Sequence, residues 1–198
     1  MDHIQLLNNL IKRYNYKVYL EIGCADDTCF NAIQVETKLG CDPASGGTHR
    51  MTSDEFFEKT KLTFDLIFID GLHWSEQVTR DISNGLKFLN KNGMIVLHDC
   101  NPPTALIASY PRESGEWTGD CWKAIVHCRQ IPYLDCIVGN FDCGCGMIRE
   151  KKNTELLVMD KWYSKLAYEE LDRNRKDWLR LKSYPEVIQW LDQGDRQQ

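Results

Sequence analysis

Apolar residues along this chain keep two alternating rhythms. Ile4, Leu7, Leu10 and Ile11 stand at helical spacing and predict an amphipathic helix over His3–Arg13. Val18–Gly23 is then a short apolar run closed by glycine, as in a buried strand, and a helix is predicted from Thr28 to Glu36. Leu39–Asp42 reads as a second brief strand. The polar stretch from Pro43 to Thr52 is loop-like, with a short third strand around His49–Thr52. Thr52 and Glu55 match a capping box for a helix over Asp54–Lys61. Then come a strand at Leu66–Asp70, a long amphipathic helix near Ser75–Leu89, a turn at Lys91–Gly93 and a strand at Met94–His98. Beyond a polar loop, Trp122–Arg129 reads as a helix. Leu134–Val138 and Cys145–Arg149 are the last two predicted strands, antiparallel because the link between them is too short for a crossover. From Asn153 onward the pattern is charged and helical, with Trp162, Leu166, Leu171, Trp178 and Leu181 available for one packed face.

Strands alternating with helices predict an α/β protein with a parallel sheet and helices on both faces. At 198 residues the chain is expected to form one domain with its own core. A domain over 1–152 is expected, with a helical extension over 153–198 packed on it. The 42% hydrophobic and 27% charged fractions are ordinary for a globular protein, and no apolar run reaches the roughly 20 residues of a membrane span. Nine cysteines, an odd number without a CxxC pair, predict reduced thiols and a cytoplasmic protein. A net charge of −5 argues against nucleic acid as a partner.

In such a sheet, ligands sit at the carboxyl ends of the strands. Glu21, Asp42, Asp70 and Asp99 all fall there. One such carboxylate is easily a helix cap; four at one edge predict a ligand crevice.

These residues carry a resemblance. EIGCADDTCF resembles the first motif of class I S-adenosylmethionine (SAM)-dependent methyltransferases, and GCDP their second, in which an acid binds ribose hydroxyls. SDEFF, FIDGLHWSEQVTRDI, GMIVLHDCNP and GDCWKAI resemble one branch of small methyltransferases, so that the likeness runs from about Val18 to Arg149. It implies a Rossmann-like fold: a seven-stranded, mostly parallel sheet with an antiparallel final strand. It also implies a SAM site built from Glu21, Gly23, Cys24, Ala25, Asp27, Asp42, Ser53, Asp54 and Asp70. Asp27 stands where the motif's last glycine usually lies, which brings it toward the ligand's amino group. Within the superfamily, the IDG-x-H stretch and the second strand end resemble metal-dependent sugar O-methyltransferases of macrolide pathways. By position, Asp70 and Asp99 are then metal ligands and His73 the general base. His98 replaces a second acidic ligand, which favours Mn²⁺ over Mg²⁺.

The chemistry suits these residue types. A sugar hydroxyl is a poor acid, and a bound metal lowers its pKa and orients it. Imidazole, titrating near neutrality, can take the proton. The expected acceptor is a small molecule or glycan; Asn101, Trp117, Asp120 and Lys123 are candidate acceptor contacts, and a homodimer is left open. Structural readings stand beside the functional ones: His73 as a helix cap, His98 as a supporting or packing residue, Ser53 and Asp54 as helix-start residues, Asp120 as an N-cap. Three rivals remain. NPPT at Asn101–Thr104 is similar to the signature of amino-methyltransferases acting on nucleic-acid bases, but lacks its aromatic residue. A nicotinamide-dependent oxidoreductase would need a G-x-G-x-x-G after the first strand, which is absent. A non-catalytic SAM-binding module gives no reason for Asp70, His73 and Asp99 to meet.

Overall fold

The computed structural model describes residues 1–195. Seven strands form one sheet in the order β2-β1-β3-β4-β6-β5-β7. They are β1 (Val18–Ile22), β2 (Thr37–Cys41), β3 (Phe64–Ile69), β4 (Leu89–Leu97), β5 (Leu134–Gly139), β6 (Cys145–Glu150) and β7 (Leu181–Lys182). The helices are α1 (His3–Tyr14), α2 (Thr28–Ala32), α3 (Ser53–Lys59), α4 (Ser75–Lys87), α5 (Trp122–Cys128), α6 (Tyr168–Trp178) and α7 (Tyr184–Asp195). β6 runs antiparallel to both β4 and β5, and the other strand pairs in the sheet are parallel. The expected mostly parallel sheet with helices on both faces is therefore present.

Strand alternation sorts the core into two layers. Tyr19, Leu66, Phe68, Met94 and Val96 face α1 and α7, meeting Leu7, Leu10, Val187 and Trp190. Leu20, Ile67, Ile69, Ile95 and Leu97 face the other way, toward Phe56, Val78, Ile82 and Ile125. Successive side chains on a strand point to opposite faces, so strands buried on both sides read as unbroken apolar runs. Two capping boxes start helices as their sequences suggest: Asp2 with Gln5 at α1, and Thr52 with Glu55 at α3.

Several boundaries differ from expectation. The strand expected at His49–Thr52 reduces to a single bridge between Cys41 and His49, because Thr52 is already the N-cap of α3. The sheet reaches seven strands through β7 instead, which pairs in parallel with β5. The last strand in the chain is thus parallel, and the antiparallel one is sixth. Helix α2 stops at Ala32 rather than Glu36: Ile33 turns extended into the core, and Lys38 Nζ gathers the carbonyls of Phe30 (2.6 Å) and Ile33 (3.2 Å). Helix α4 ends at Lys87, since Leu89 pairs with Phe64 to open β4. The expected turn at Lys91–Gly93 becomes a bulge within β4, with Asn92 left-handed. The tail is helical only from Tyr168, after a 3-10 turn at Tyr163–Lys165, and Trp162 is 62% exposed rather than part of a packed face. All nine cysteines are free. No helix is long and apolar enough to cross a membrane among the described residues.

Candidate active site

Backbone hydrogen bonds extend the ladder past the strand ends and place the chemistry at one edge. Gly23 N donates to Cys41 O (2.9 Å), Asp70 N to Ile22 O (2.8 Å) and His98 N to Ile69 O (3.1 Å). Gly23 takes φ +88°, and a Cβ there would lie 2.3 Å from the Asp70 carbonyl oxygen. Only glycine lets the first loop approach β3 this closely.

Beside this edge lies a cavity of about 600 Å³. Gly23, Ala25, Asp42, Ser53, Asp54 and Asp70 line it, six of the nine expected cofactor residues, together with His73 and Trp117. Asp42 accepts backbone N–H groups from Ala25 (3.1 Å), Ala44 (2.7 Å) and Ser45 (2.9 Å). Those bonds outweigh its partial burial and hold its carboxyl below the usual range. Asp54 Oδ1 is buried and has no hydrogen-bond partner among the described residues.

At the same edge four side chains interlock. His73 Nε2 lies 3.4 Å from Asp70 Oδ1, and His73 Nδ1 lies 3.3 Å from Asp99 Oδ2. His98 Nδ1 lies 3.4 Å from Oδ1 of both Asp70 and Asp99. Burial works against the charge on Asp70, yet hydrogen bonds from His73 and His98 prevail and hold it down at about 2. Burial pushes Asp99 up to about 6 despite the two imidazoles. Burial also opposes the charge on both histidines. The bond to Asp70 and the surrounding carboxylates overcome it, raising His73 and taking His98 to about 9. Asp99 is held at φ 59°, an uncommon left-handed backbone for a residue other than glycine. Asp70, His73 and Asp99 offer ligand atoms within 4.8 Å of one another.

Residues 33–100 match the model of a methyltransferase domain. That segment holds Asp42, Asp70, His73 and Asp99. The fold recurs in solved methyltransferase structures. An S-adenosylhomocysteine (SAH)-bound methyltransferase from Podospora anserina is similar over 75% of this chain and 78% of its own, at 17% identity and a TM-score of 0.56. An O-methyltransferase from Bacillus cereus in complex with SAH is similar over 73% and 78%, at 13% identity and a TM-score of 0.53. The chain shares the fold of these SAM-dependent methyltransferases. The MycE methyltransferase of the mycinamycin biosynthetic pathway, in complex with Mg, SAH and mycinamycin VI, is similar over 79% of this chain but 51% of its own length, at 13% identity and a TM-score of 0.50. No curated protein matches the sequence.

In this methyltransferase fold several expected residues serve the frame instead. Glu21 is buried under the cavity and accepts from Tyr19 Oη (2.6 Å); burial lifts its carboxyl to about 7. Cys24 is buried beside Gly40. Asp27 takes the left-handed conformation of the glycine it replaces, and its Oδ1 accepts from Gly47 N (2.6 Å). Glu21, Cys24 and Asp27 therefore lie off the cavity lining. Asn101 binds Asn140 and Arg175, tying the loop after β4 to the tail. Asp120 accepts the N–H (2.6 Å) and hydroxyl (2.9 Å) of Ser75, capping α4 from 45 residues away, and pairs with Lys123 at 3.0 Å. Of the four acceptor candidates, only Trp117 lines the cavity, its ring 4.9 Å from that of His73.

Gln77, Asp81 and Arg112 also line the cavity, and sequence reasoning missed them. Asp81 accepts from Ser53 Oγ (2.6 Å) and Gln77 Nε2 (2.9 Å), and burial raises it to about 6. A signal for Asp81 was available: it falls on the apolar stripe of α4 between Val78 and Ile82, where a carboxylate needs a buried partner.

Proposed function

We propose that the protein is a SAM-dependent O-methyltransferase acting on a sugar or glycan hydroxyl. The observation that carries this reading is one cavity lined both by Asp42 and Asp54 and by Asp70, His73 and Trp117. Three backbone donors leave about one of the roughly four acceptor positions of the Asp42 carboxylate free for a ribose hydroxyl. The unpartnered Asp54 Oδ1 suits the amino group of adenine. Gly23, without a side chain, leaves room for the ligand's methionine part. Trp117, Tyr110 and Trp74 stack in sequence, with ring centroids 6.4 and 5.7 Å apart, and offer an apolar face for a sugar ring. The segment 153–198 is read as an extension of the same domain, since β7 joins its sheet.

In the reaction the acceptor oxygen attacks the sulfonium methyl group. The C–O bond forms as the C–S bond breaks, the hydroxyl proton passes to His73, and SAH and a methyl ether leave. Two carboxylates and an imidazole within 4.8 Å fit a divalent cation such as Mn²⁺ or Mg²⁺. Asp70 and Asp99 would hold it, and it would make the acceptor hydroxyl more acidic. His98 presents Nδ1 to both carboxylates and steadies them. His73 is fixed by its bond to the Trp117 carbonyl (3.2 Å) and by the close approach of Gly119 to its backbone.

The test is methyl transfer from labelled SAM to a panel of sugars, with and without chelator. Turnover on a sugar that chelator stops and Mn²⁺ restores is expected. His73→Ala should lose about 10²–10⁴-fold in rate at nearly unchanged SAH affinity. Because His73 is raised, wild-type turnover should fall as pH drops through a value above 6.5, and that limb should vanish in the variant. A variant that keeps its rate but melts at lower temperature makes His73 a structural cap.

A further inference from the structure

A second group of ligating side chains stands beside the first. His3 opens α1, His98 follows β4 and Asp142 lies between β5 and β6, and their ligand atoms fall within 4.8 Å of one another. His3 Nδ1 is 2.6 Å from Asp142 Oδ2, and His98 Nε2 is 3.6 Å from the same oxygen. His98 Nε2 is buried and has no hydrogen-bond partner among the described residues. A neutral imidazole has one N–H and one lone pair. The N–H belongs at Nδ1, which faces two carboxylate oxygens at 3.4 Å. Asp142 Oδ2 is already taken by the backbone N–H and Nδ1 of His3, each at 2.6 Å, so His98 Nε2, 3.6 Å from it, is left with no hydrogen bond of its own. A proton on Nε2 would not mend this, because 3.6 Å is beyond hydrogen-bond reach.

We propose that His3, His98 and Asp142 hold a divalent transition-metal ion of the zinc class, at a site distinct from the Asp70–Asp99 pair. Two imidazoles and one carboxylate are a donor set for zinc, cobalt or iron rather than magnesium. Ligands about 2.1 Å from a tetrahedral ion lie roughly 3.4 Å apart. The His98–Asp142 distance of 3.6 Å is already close to that, and the 2.6 Å contact between His3 Nδ1 and Asp142 would open by about 0.8 Å to admit the ion. The site also has its support: a ligating histidine normally turns its second ring nitrogen to a carboxylate, and His98 Nδ1 faces Asp70 and Asp99 at 3.4 Å. The His3 ring is held by stacking on Phe68, centroids 5.5 Å apart and planes 10° from parallel. Asp142 keeps 25% of its side chain exposed, which leaves a path for the ion. The inference stands on these three residues and not on methyl transfer.

The experiment titrates metal-free protein with Zn²⁺ and with Co²⁺, Mg²⁺ serving as comparison, and locates zinc in crystals by anomalous scattering. Zn²⁺ should bind at micromolar concentration or tighter, with its anomalous peak among His3, His98 and Asp142. His3→Ala and Asp142→Ala should each weaken that binding by at least about 10–100-fold, the loss that even a supporting partner causes. His73→Ala, which touches only the first cluster, should retain it. Thermal unfolding of the metal-free variants separates a lost ligand from a lost fold. Equal Zn²⁺ affinity in wild type and His3→Ala overturns the proposal. So does a zinc peak at Asp70 and Asp99 with none at His3, or no binding up to millimolar Zn²⁺.

Discussion

Gly23→Ala tests whether the close approach of the first loop to β3 builds the cofactor cavity. The added methyl would stand 2.3 Å from the Asp70 carbonyl oxygen and 2.5 Å from Gly71 Cα, both backbone atoms that cannot rotate away. Restoring ordinary contact near 3.4 Å needs about 1 Å of separation between the ends of β1 and β3. At φ +88° an L-residue also pays roughly 1–2 kcal/mol of backbone strain. Overpacking adds about 1–3 kcal/mol, so the sum is about 2–5 kcal/mol. That is a large share of the ~5–15 kcal/mol that holds a typical domain. With a urea slope of roughly 2–3 kcal/mol/M, the unfolding midpoint should fall by about 1–2 M. SAH affinity, measured by calorimetry on the folded variant, should drop with it, because the displaced atoms line the cavity. Gly115→Ala is the control: Gly115 also lines the cavity, but an added Cβ meets nothing within 4 Å. Its unfolding free energy should stay within about 0.5 kcal/mol of wild type. A Gly23→Ala protein as stable as wild type, with unchanged SAH affinity, would refute the argument.

Two further predictions rest on single carboxylates. Burial raises Glu21 to about 7, so the folded state holds its proton more tightly than the unfolded chain, and stability is lost as pH climbs from about 4.5 through 7. Glu21→Gln cannot ionise, so relative to wild type it should gain on the order of a few kcal/mol between pH 5 and pH 8 in paired urea titrations; a pH-independent difference would dismiss the ionisation. Asp42→Asn keeps the side chain's shape but halves its acceptors and removes its charge, and should weaken SAH about 10–100-fold, the worth of one hydrogen bond to a charged group. Calorimetry giving equal affinities would take Asp42 out of the site.

Six of the seven strands, the order of the main elements and the convergence of Asp70, His73 and Asp99 were legible in the amino-acid order. Unbroken apolar runs such as Phe64–Ile69 report burial on both faces, and parallel strands bring their carboxyl ends to one edge whatever the details of packing. The Thr52–Glu55 capping box was equally readable, because its partners lie three residues apart. Tertiary structure decided the rest, wherever a residue's partner is remote. Two-residue β7 has too little sequence to announce a strand and exists because β5 offers it an edge. Asp120 resembled a local cap or an acceptor contact until folding set it against Ser75. Glu21 and Asp27 carry the composition of a cofactor loop, yet their carboxylates are spent on Tyr19 and Gly47. The meeting of His3 with Asp142, 139 residues apart, has no periodic trace at all. Periodicity records which face of an element is buried; it does not record what waits on the other side of the sheet edge, and there the chemistry of this chain is assembled.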